Sequence, residues 1–381
     1  MSKYAVVDVA NLMFRARHVV RGDAYEQSGM ALHIIFRSLK KLFKEHKADH
    51  VVLALEGGGS WRYKEYPAYK SKRRMDREAD RALQSAREAE ADEVFDAVMQ
   101  DFIEFMSEKT RCTVLHQSGI EGDDFIARWI QLHPNDEHII LSSDSDFIQL
   151  ITDKVTLYNG IDDRLMTPDG VFDGATGDRL VFHVDSGSGK AKVLGTPEQE
   201  KKKHDKAQKE KAKMSATYVP TEWSWEMEPE WQKKALFVKL IRGDSGDSVF
   251  SSYPGVRYHG SSKKVGINEA WEDRSGQGFH WNNFMLQSWD KLLGTDEKGN
   301  NITEKVRVID EFKINERIID LTKQPDDVKD LMDTVIVQAV QKEPVGNVGM
   351  AFLKFCHRNA LPNLSKEATD HAAYLNRGYT K

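Results

Sequence analysis

Over the first 160 residues, short apolar runs alternate with stretches in which apolar positions recur every three to four residues. "YAVVDVANL" (4–12) reads as a short buried strand ending at Asp8, and "HVVLALEGG" (50–58) as a second, ending at Glu56 and a glycine turn. Between them "MALHIIFRSLKKLFKEH" carries the 3.6-residue period of an amphipathic helix. Strand, helix, strand is the βαβ pattern of a parallel sheet. A second amphipathic helix is predicted over 93–106, and further strands at 112–117, 137–144 and 154–159. The pattern predicts an α/β core.

Two segments break this pattern. Residues 75–91 favour a helix but have almost no apolar face, so they are solvated or wait for a partner. Residues 198–213 are a lysine-dominated charge run, read as an exposed helix or an insertion without fixed structure. No internal repeat is present.

Acidic residues gather where strands end. In an open parallel sheet, ligands bind beyond the carboxyl ends of the strands. Asp8 and Glu56 each end a predicted strand, and Asp144 and Asp146 in "ILSSDSDFIQL" end a third. The segment "GIEGDDFIARWI" adds Glu121, Asp123 and Asp124 at the start of a helix. Each group alone has an ordinary reading as a turn or helix-capping feature. Seven carboxylates on one sheet edge repel one another and call for neutralisation by a hard divalent cation with oxygen ligands. No His or Cys stands beside them at zinc-ligand spacing, so Mg²⁺ or Mn²⁺ is expected. Two such ions about 4 Å apart suit phosphodiester hydrolysis. Further on, "LIRGDSGDSVF" supplies Asp244 and Asp247, which could equally form a simple turn.

Composition narrows the classes. With 381 residues the chain can bury a sizeable core, and its 30% charged residues almost balance, at net −5. Two cysteines are too few for a disulfide framework or a cysteine zinc site. Without a membrane-length apolar run or signal-peptide pattern, a soluble cytoplasmic protein is expected. The near-neutral total hides local segregation: "WRYKEYPAYKSKRR" (61–74) interleaves Arg62, Lys64, Lys70, Lys72, Arg73 and Arg74 with four aromatics. Cations match phosphates and aromatic rings stack on bases, so this stretch suits single-stranded nucleic acid. A solvated basic loop is the plainer alternative.

Taken in order, Asp8, Glu56 with "GSWR", "YPAYKSKRR", "EGDD", "SSDSD" and "GDSGD" resemble the flap endonuclease or 5′-nuclease family. The likeness is greatest to compact bacteriophage 5′→3′ exonucleases with RNase H and flap activity, and covers roughly residues 1–275. It implies a PIN-like α/β fold binding two or more divalent ions. By this resemblance Asp8, Glu56, Glu121, Asp123 and Asp124 lie around a first metal, and Asp144, Asp146, Asp244 and Asp247 around a second. The family usually has Asp where this chain has Glu56, which keeps the charge but reaches one methylene further. Tyr69 would stack on the end nucleotide, and Lys70 and Arg73 would stabilise charge on the scissile phosphate. Residues 75–91 would form a helical arch over the metals. "YPGVRYHGSSKKVGINEAW" corresponds to a helix–turn–helix hairpin gripping duplex backbone, with Gly255, Gly260, Gly266, Lys263 and Lys264 at the phosphates.

The resulting expectation is a 5′-nuclease core over 1–175 with an arch at 62–92, then a lysine-rich insertion over 176–229. A duplex-binding hairpin at 230–275 and a mainly helical extension over 276–381 follow. The extension would buttress the core, extend duplex contact or recruit a replication protein. The expected protein is a monomeric, metal-dependent 5′ nuclease acting on DNA flaps, nicks and RNA–DNA hybrids, as in primer removal. Competing readings are a PIN-type ribonuclease, a non-catalytic branched-DNA binding protein and a magnesium-dependent phosphatase.

Overall fold

Parallel strands cannot be joined by hairpins, so each short apolar run here is followed by a crossover that returns the chain to the same end of the sheet. The computed structural model describes residues 1–13, 24–215, 217–253, 266–296, 298–343 and 345–380. They divide into two compact units, one of residues 1–67, 73–162 and 324–381, the other of residues 68–72 and 163–323.

In the first unit β1 (Lys3–Asp8), β2 (His50–Ala54), β3 (Thr113–Leu115), β4 (Glu137–Leu141) and β5 (Val155–Asn159) form a parallel sheet in the order β3-β2-β1-β4-β5. β1 is central, with Ala5, Val6 and Val7 wholly buried. It ends at Asp8 rather than running on to Leu12, because residues 9–13 are helical. Helix α1 (Ala24–Lys44) buries Ala31, Leu32, Ile35, Phe36, Leu39 and Leu42, the spacing of one helical face. The solvated segment forms α2 (Ser71–Leu83), which buries none of its side chains. It stops short of residue 91 because Ser85 and Glu88 form a capping box that starts a new helix, α3 (Ala86–Glu108). Helix α4 (Gly122–Leu132) follows β3.

Of the C-terminal stretch, residues 324–381 belong to this unit and residues 276–323 to the other. Phe352 and Phe355 meet Phe36 with ring centroids 5.1 and 5.9 Å apart, so the helix Val348–Arg358 closes the core beside α1. The second unit holds the antiparallel strands β6 (Arg164–Thr167), β7 (Gly170–Asp173), β8 (Arg179–Val184) and β9 (Ala191–Gly195). It continues through helices α5 (Pro197–Met214) and α6 (Trp231–Arg242). The stretch expected as a lysine-rich insertion thus begins with two strands. A two-stranded antiparallel ribbon, Ser288–Thr295 with Asn301–Arg307, also interrupts the region expected to be mainly helical. Among the described residues no helix is long and apolar enough to cross a membrane.

The amino-terminal part of the sheet is aromatic. Tyr4 lies in register with His50 on one side and His138 on the other. Burial pushes both imidazoles down to about 4. The unfolded chain takes up protons near pH 6.5, whereas these folded histidines resist protonation until about pH 4. Stability from this pair is therefore complete above pH 6.5 and is lost as pH falls towards 4, by roughly 1–2 kcal/mol per histidine at pH 5. Melting curves at pH 7 and pH 5 check this. His138→Leu should shrink the difference, and an equal acid loss in the variant would remove His138 from the account.

Candidate metal centre

Adjacent parallel strands bring their carboxyl ends side by side. Val7 pairs with Leu141 and Asp8 with Ala54, so Asp8 lies between the loop that carries Glu56 and the one that carries Asp144. Ser142 Oγ donates to Asp8 Oδ2 at 2.8 Å, and the Asn11 amide donates to Asp8 Oδ1 at 3.0 Å. Asn11 Oδ1 in turn accepts from the amide and hydroxyl of Ser143. The Asp144 amide donates to Ser142 Oγ, and the Asp146 amide to Asp144 Oδ1 at 2.9 Å. Two strand-end loops are thus stitched together, and the orientations of Asp8 and Asp144 are fixed.

Glu56 is exposed, on a loop that approaches residues 117–120, just before α4. The Gly57 amide donates to the Ile120 carbonyl at 3.0 Å. A Cβ at residue 57 would lie 1.6 Å from the Gln117 carbonyl oxygen, so only glycine allows this approach. At the start of α4, Asp123 is surrounded by acids. Its carboxyl is pushed well above the usual carboxylate range, first by burial and then by Asp8, Asp144, Glu56 and Glu121. The five therefore share one electrostatic site.

Asp124 and Arg62 fall elsewhere than expected. Asp124 is wholly buried and accepts from both guanidinium nitrogens of Arg62, at 2.8 and 2.9 Å, and from Trp61 Nε1 at 3.0 Å. Arg62 also donates to Glu121 Oε2, which Ser60 Oγ shares, each at 2.8 Å. With Arg62 only 2% exposed, this cation is a buried counter-charge rather than a phosphate contact, and both Asp124 oxygens are engaged by Arg62 and Trp61. Trp61 is likewise buried rather than offered to a base. Sequence reasoning missed this Ser60–Trp61–Arg62 support, and Asn11, Ser142 and Ser143 with it. Their one signal is position, within a few residues of strand-end acids.

The second unit holds Asp244 and Asp247 in a turn closed by a two-way bridge between Asp244 and Val249. Burial favours neutral Asp244. The Lys239 ammonium 2.9 Å away outweighs it, with the amides of Asp247 and Gly246, and holds the carboxyl below its ordinary range. Asp247 accepts from the Tyr69 hydroxyl at 3.3 Å. Tyr69 is itself buried, only 6% exposed, so the ring expected to stack on an end nucleotide is packed inside this unit as it stands. The Lys70 amide donates to the Asp247 carbonyl at 2.7 Å and holds Lys70 in the left-handed region, φ 52°. Lys72 and Arg73 are exposed on α2, as is Arg74, which reaches the Pro67 carbonyl and covers the Tyr63 ring. Gly266, with φ 75°, precedes the short helix Ile267–Glu272. Gly255, Gly260, Lys263 and Lys264 lie outside the described residues.

The donor set around Asp123 is oxygen only, which suits a hard divalent cation. Among the described residues no three acidic, His or Cys side chains close on a single point as a finished coordination sphere. The fit is thus one of charge and donor type.

Residues 3–175 match a family model described as the 5′-3′ exonuclease, N-terminal resolvase-like domain. The flap endonuclease Xni of Shewanella loihica is 27% identical over 171 residues, 44% of this chain and 59% of that protein. A flap endonuclease of Escherichia phage T5 is 28% identical over 157 residues, 40% of this chain and 50% of that one. The chain thus matches 50–59% of the length of these curated relatives. Among solved structures, a bacteriophage T5 flap endonuclease in a pseudo-enzyme-product complex with DNA and metal ions covers 97% of this chain and 99% of its own. At 18% identity and a TM-score of 0.47, that likeness is too distant to bear on function.

Proposed function

We propose that this chain, whose residues 3–175 match the 5′-3′ exonuclease N-terminal domain, is a divalent-metal-dependent 5′ nuclease that hydrolyses phosphodiesters near the 5′ end of DNA flaps. The observation that carries the proposal is the convergence of acids at the carboxyl ends of parallel strands, where the Asp123 carboxyl is raised first by burial and then by Asp8, Asp144, Glu56 and Glu121. Asp8, Glu56, Asp123 and Asp144 would hold the metal, with Glu121 and Asp146 beside them. Asp124 is left out because Arg62 and Trp61 occupy it. Asp244 and Asp247 are left out because Lys239, backbone amides and Tyr69 engage them. Mg²⁺ or Mn²⁺ bound there would supply an activated water and a hold on the leaving oxygen. Asp8 and Asp144 would present their oxygens in fixed directions, because Ser142 and the loop amides orient them. Action on RNA–DNA hybrids, and with it primer removal, belongs to the same proposal.

The test is incubation of 5′-labelled flap, nicked and hybrid duplexes with Mg²⁺ or EDTA, mapping the products. Short 5′ products that vanish in EDTA are expected. Tight binding of branched DNA with no cleavage in either Mg²⁺ or Mn²⁺ would favour a non-catalytic branched-DNA binding protein instead.

Lys70 is proposed to meet the scissile phosphate, and Lys72 only to attract the backbone. A donor that strengthens its interaction in the transition state lowers turnover when lost. Lys70→Ala should lower single-turnover cleavage about a hundredfold or more, with Lys72→Ala near wild type. Equal rates for the two variants would remove Lys70 from catalysis.

A further inference from the structure

The lysine-rich helix α5 carries seven lysines against four acids, for a net charge of +3 over 18 residues. It is firmly held at its start and on one face. Thr196 and Gln199 form a capping box, with Pro197 at the first position. Gln208 is buried, donates to Thr221 Oγ1 at 2.9 Å, accepts from the Tyr218 hydroxyl and meets His204 Nε2 at 2.8 Å. The helix packs against β8 and β9.

Lys202, Lys206, Lys209 and Lys213 follow the spacing i, i+4, i+7, i+11, which places them on one stripe of the helix. The stripe is turned away from the His204–Gln208 face, and all four side chains are exposed. Among the described residues none of the four has an ion pair or hydrogen bond. Glu198 and Asp205 stand one turn before Lys202 and Lys209 yet pair with neither, whereas off the stripe Lys203 is bound to Glu200 at 2.6 Å. Like charges at these spacings repel one another, and no ion pair within the described residues offsets that repulsion along the stripe. From Lys202 to Lys213, eleven steps of 1.5 Å rise, it extends about 16 Å. One strand of duplex presents a phosphate roughly every 3.4 Å of axis, so a run of about five phosphates spans the same length.

We propose that this stripe is a sequence-independent docking surface for the phosphate backbone of duplex nucleic acid, outside the matched residues 3–175. The choice of partner rests on the nuclease reading, but binding is measured without cleavage, so the two can fail separately.

The experiment compares the intact chain with two variants. One carries Lys202→Gln, Lys206→Gln, Lys209→Gln and Lys213→Gln; the other carries Lys201→Gln, Lys203→Gln and Lys211→Gln on the remaining faces. Binding of a fluorescent blunt duplex is read in EDTA across about 50–200 mM KCl, with circular dichroism to confirm that the helix persists. Loss of four contacts should make the slope of log K against log salt shallower by roughly 3 to 4. The control variant should stay within about one unit of wild type. Equal slopes for the two variants would overturn the proposal, as would weaker binding to phosphatidylserine vesicles with duplex affinity unchanged. If the slope falls as expected but no flap is ever cut, the surface stands and the nuclease reading falls.

Discussion

Asp123→Asn should abolish flap cleavage, by at least about a hundredfold, and at the same time raise the melting temperature of the metal-free protein. Activity and stability move in opposite directions here for one reason. At neutral pH, Asp123 must either take up a proton or sit charged among Asp8, Asp144, Glu56 and Glu121. Either course costs folding free energy, and an amide of the same shape avoids both. A cation bound among these acids would repay that cost, so Mn²⁺ should raise the wild-type melting temperature and move the variant much less. The measurements are single-turnover cleavage at saturating enzyme and melting curves with and without Mn²⁺. A variant that is less stable than wild type in EDTA, or that still cuts at a normal rate, would refute the site.

Arg62→Ala should cost roughly 3–5 kcal/mol of stability, because it strands Asp124 and Glu121 as buried charges without their shared cation. A solvated arginine in a phosphate-binding loop would cost almost nothing on removal and would instead weaken nucleic-acid binding. Urea denaturation separates the two cases. Arg62→Lys should recover part of the loss, since an ammonium keeps the charge but cannot reproduce the paired bonds to both Asp124 oxygens. Duplex binding, measured well below the midpoint, should keep its salt slope in both variants. A fully stable Arg62→Ala protein with a shallower salt slope would return Arg62 to the nucleic-acid surface.

The position of the acids was legible along the chain because topology does the gathering. In βαβ units all strands point the same way, so acids placed just past β1, β2 and β4 meet at one edge whatever the details of packing. The period of α1 and the missing apolar face of α2 were legible for a similar reason, as a helix or strand exposes its period locally. What the chain could not reveal is how neighbours in sequence divide between roles. Asp123 and Asp124 are adjacent letters, but about 100° of helix rotation separates them. One carboxyl is raised by burial and by neighbours that include Asp8 and Asp144, and the other is paired with Arg62. Arg62 and Tyr69 read as two more members of a basic, aromatic stretch, yet the fold buries both and leaves Lys72, Arg73 and Arg74 outside. Hydropathy records the average preference of a residue type, and a buried arginine defies that average only when two carboxylates from a distant helix meet it. Those partners are 59 and 62 residues away, so only the tertiary structure could decide.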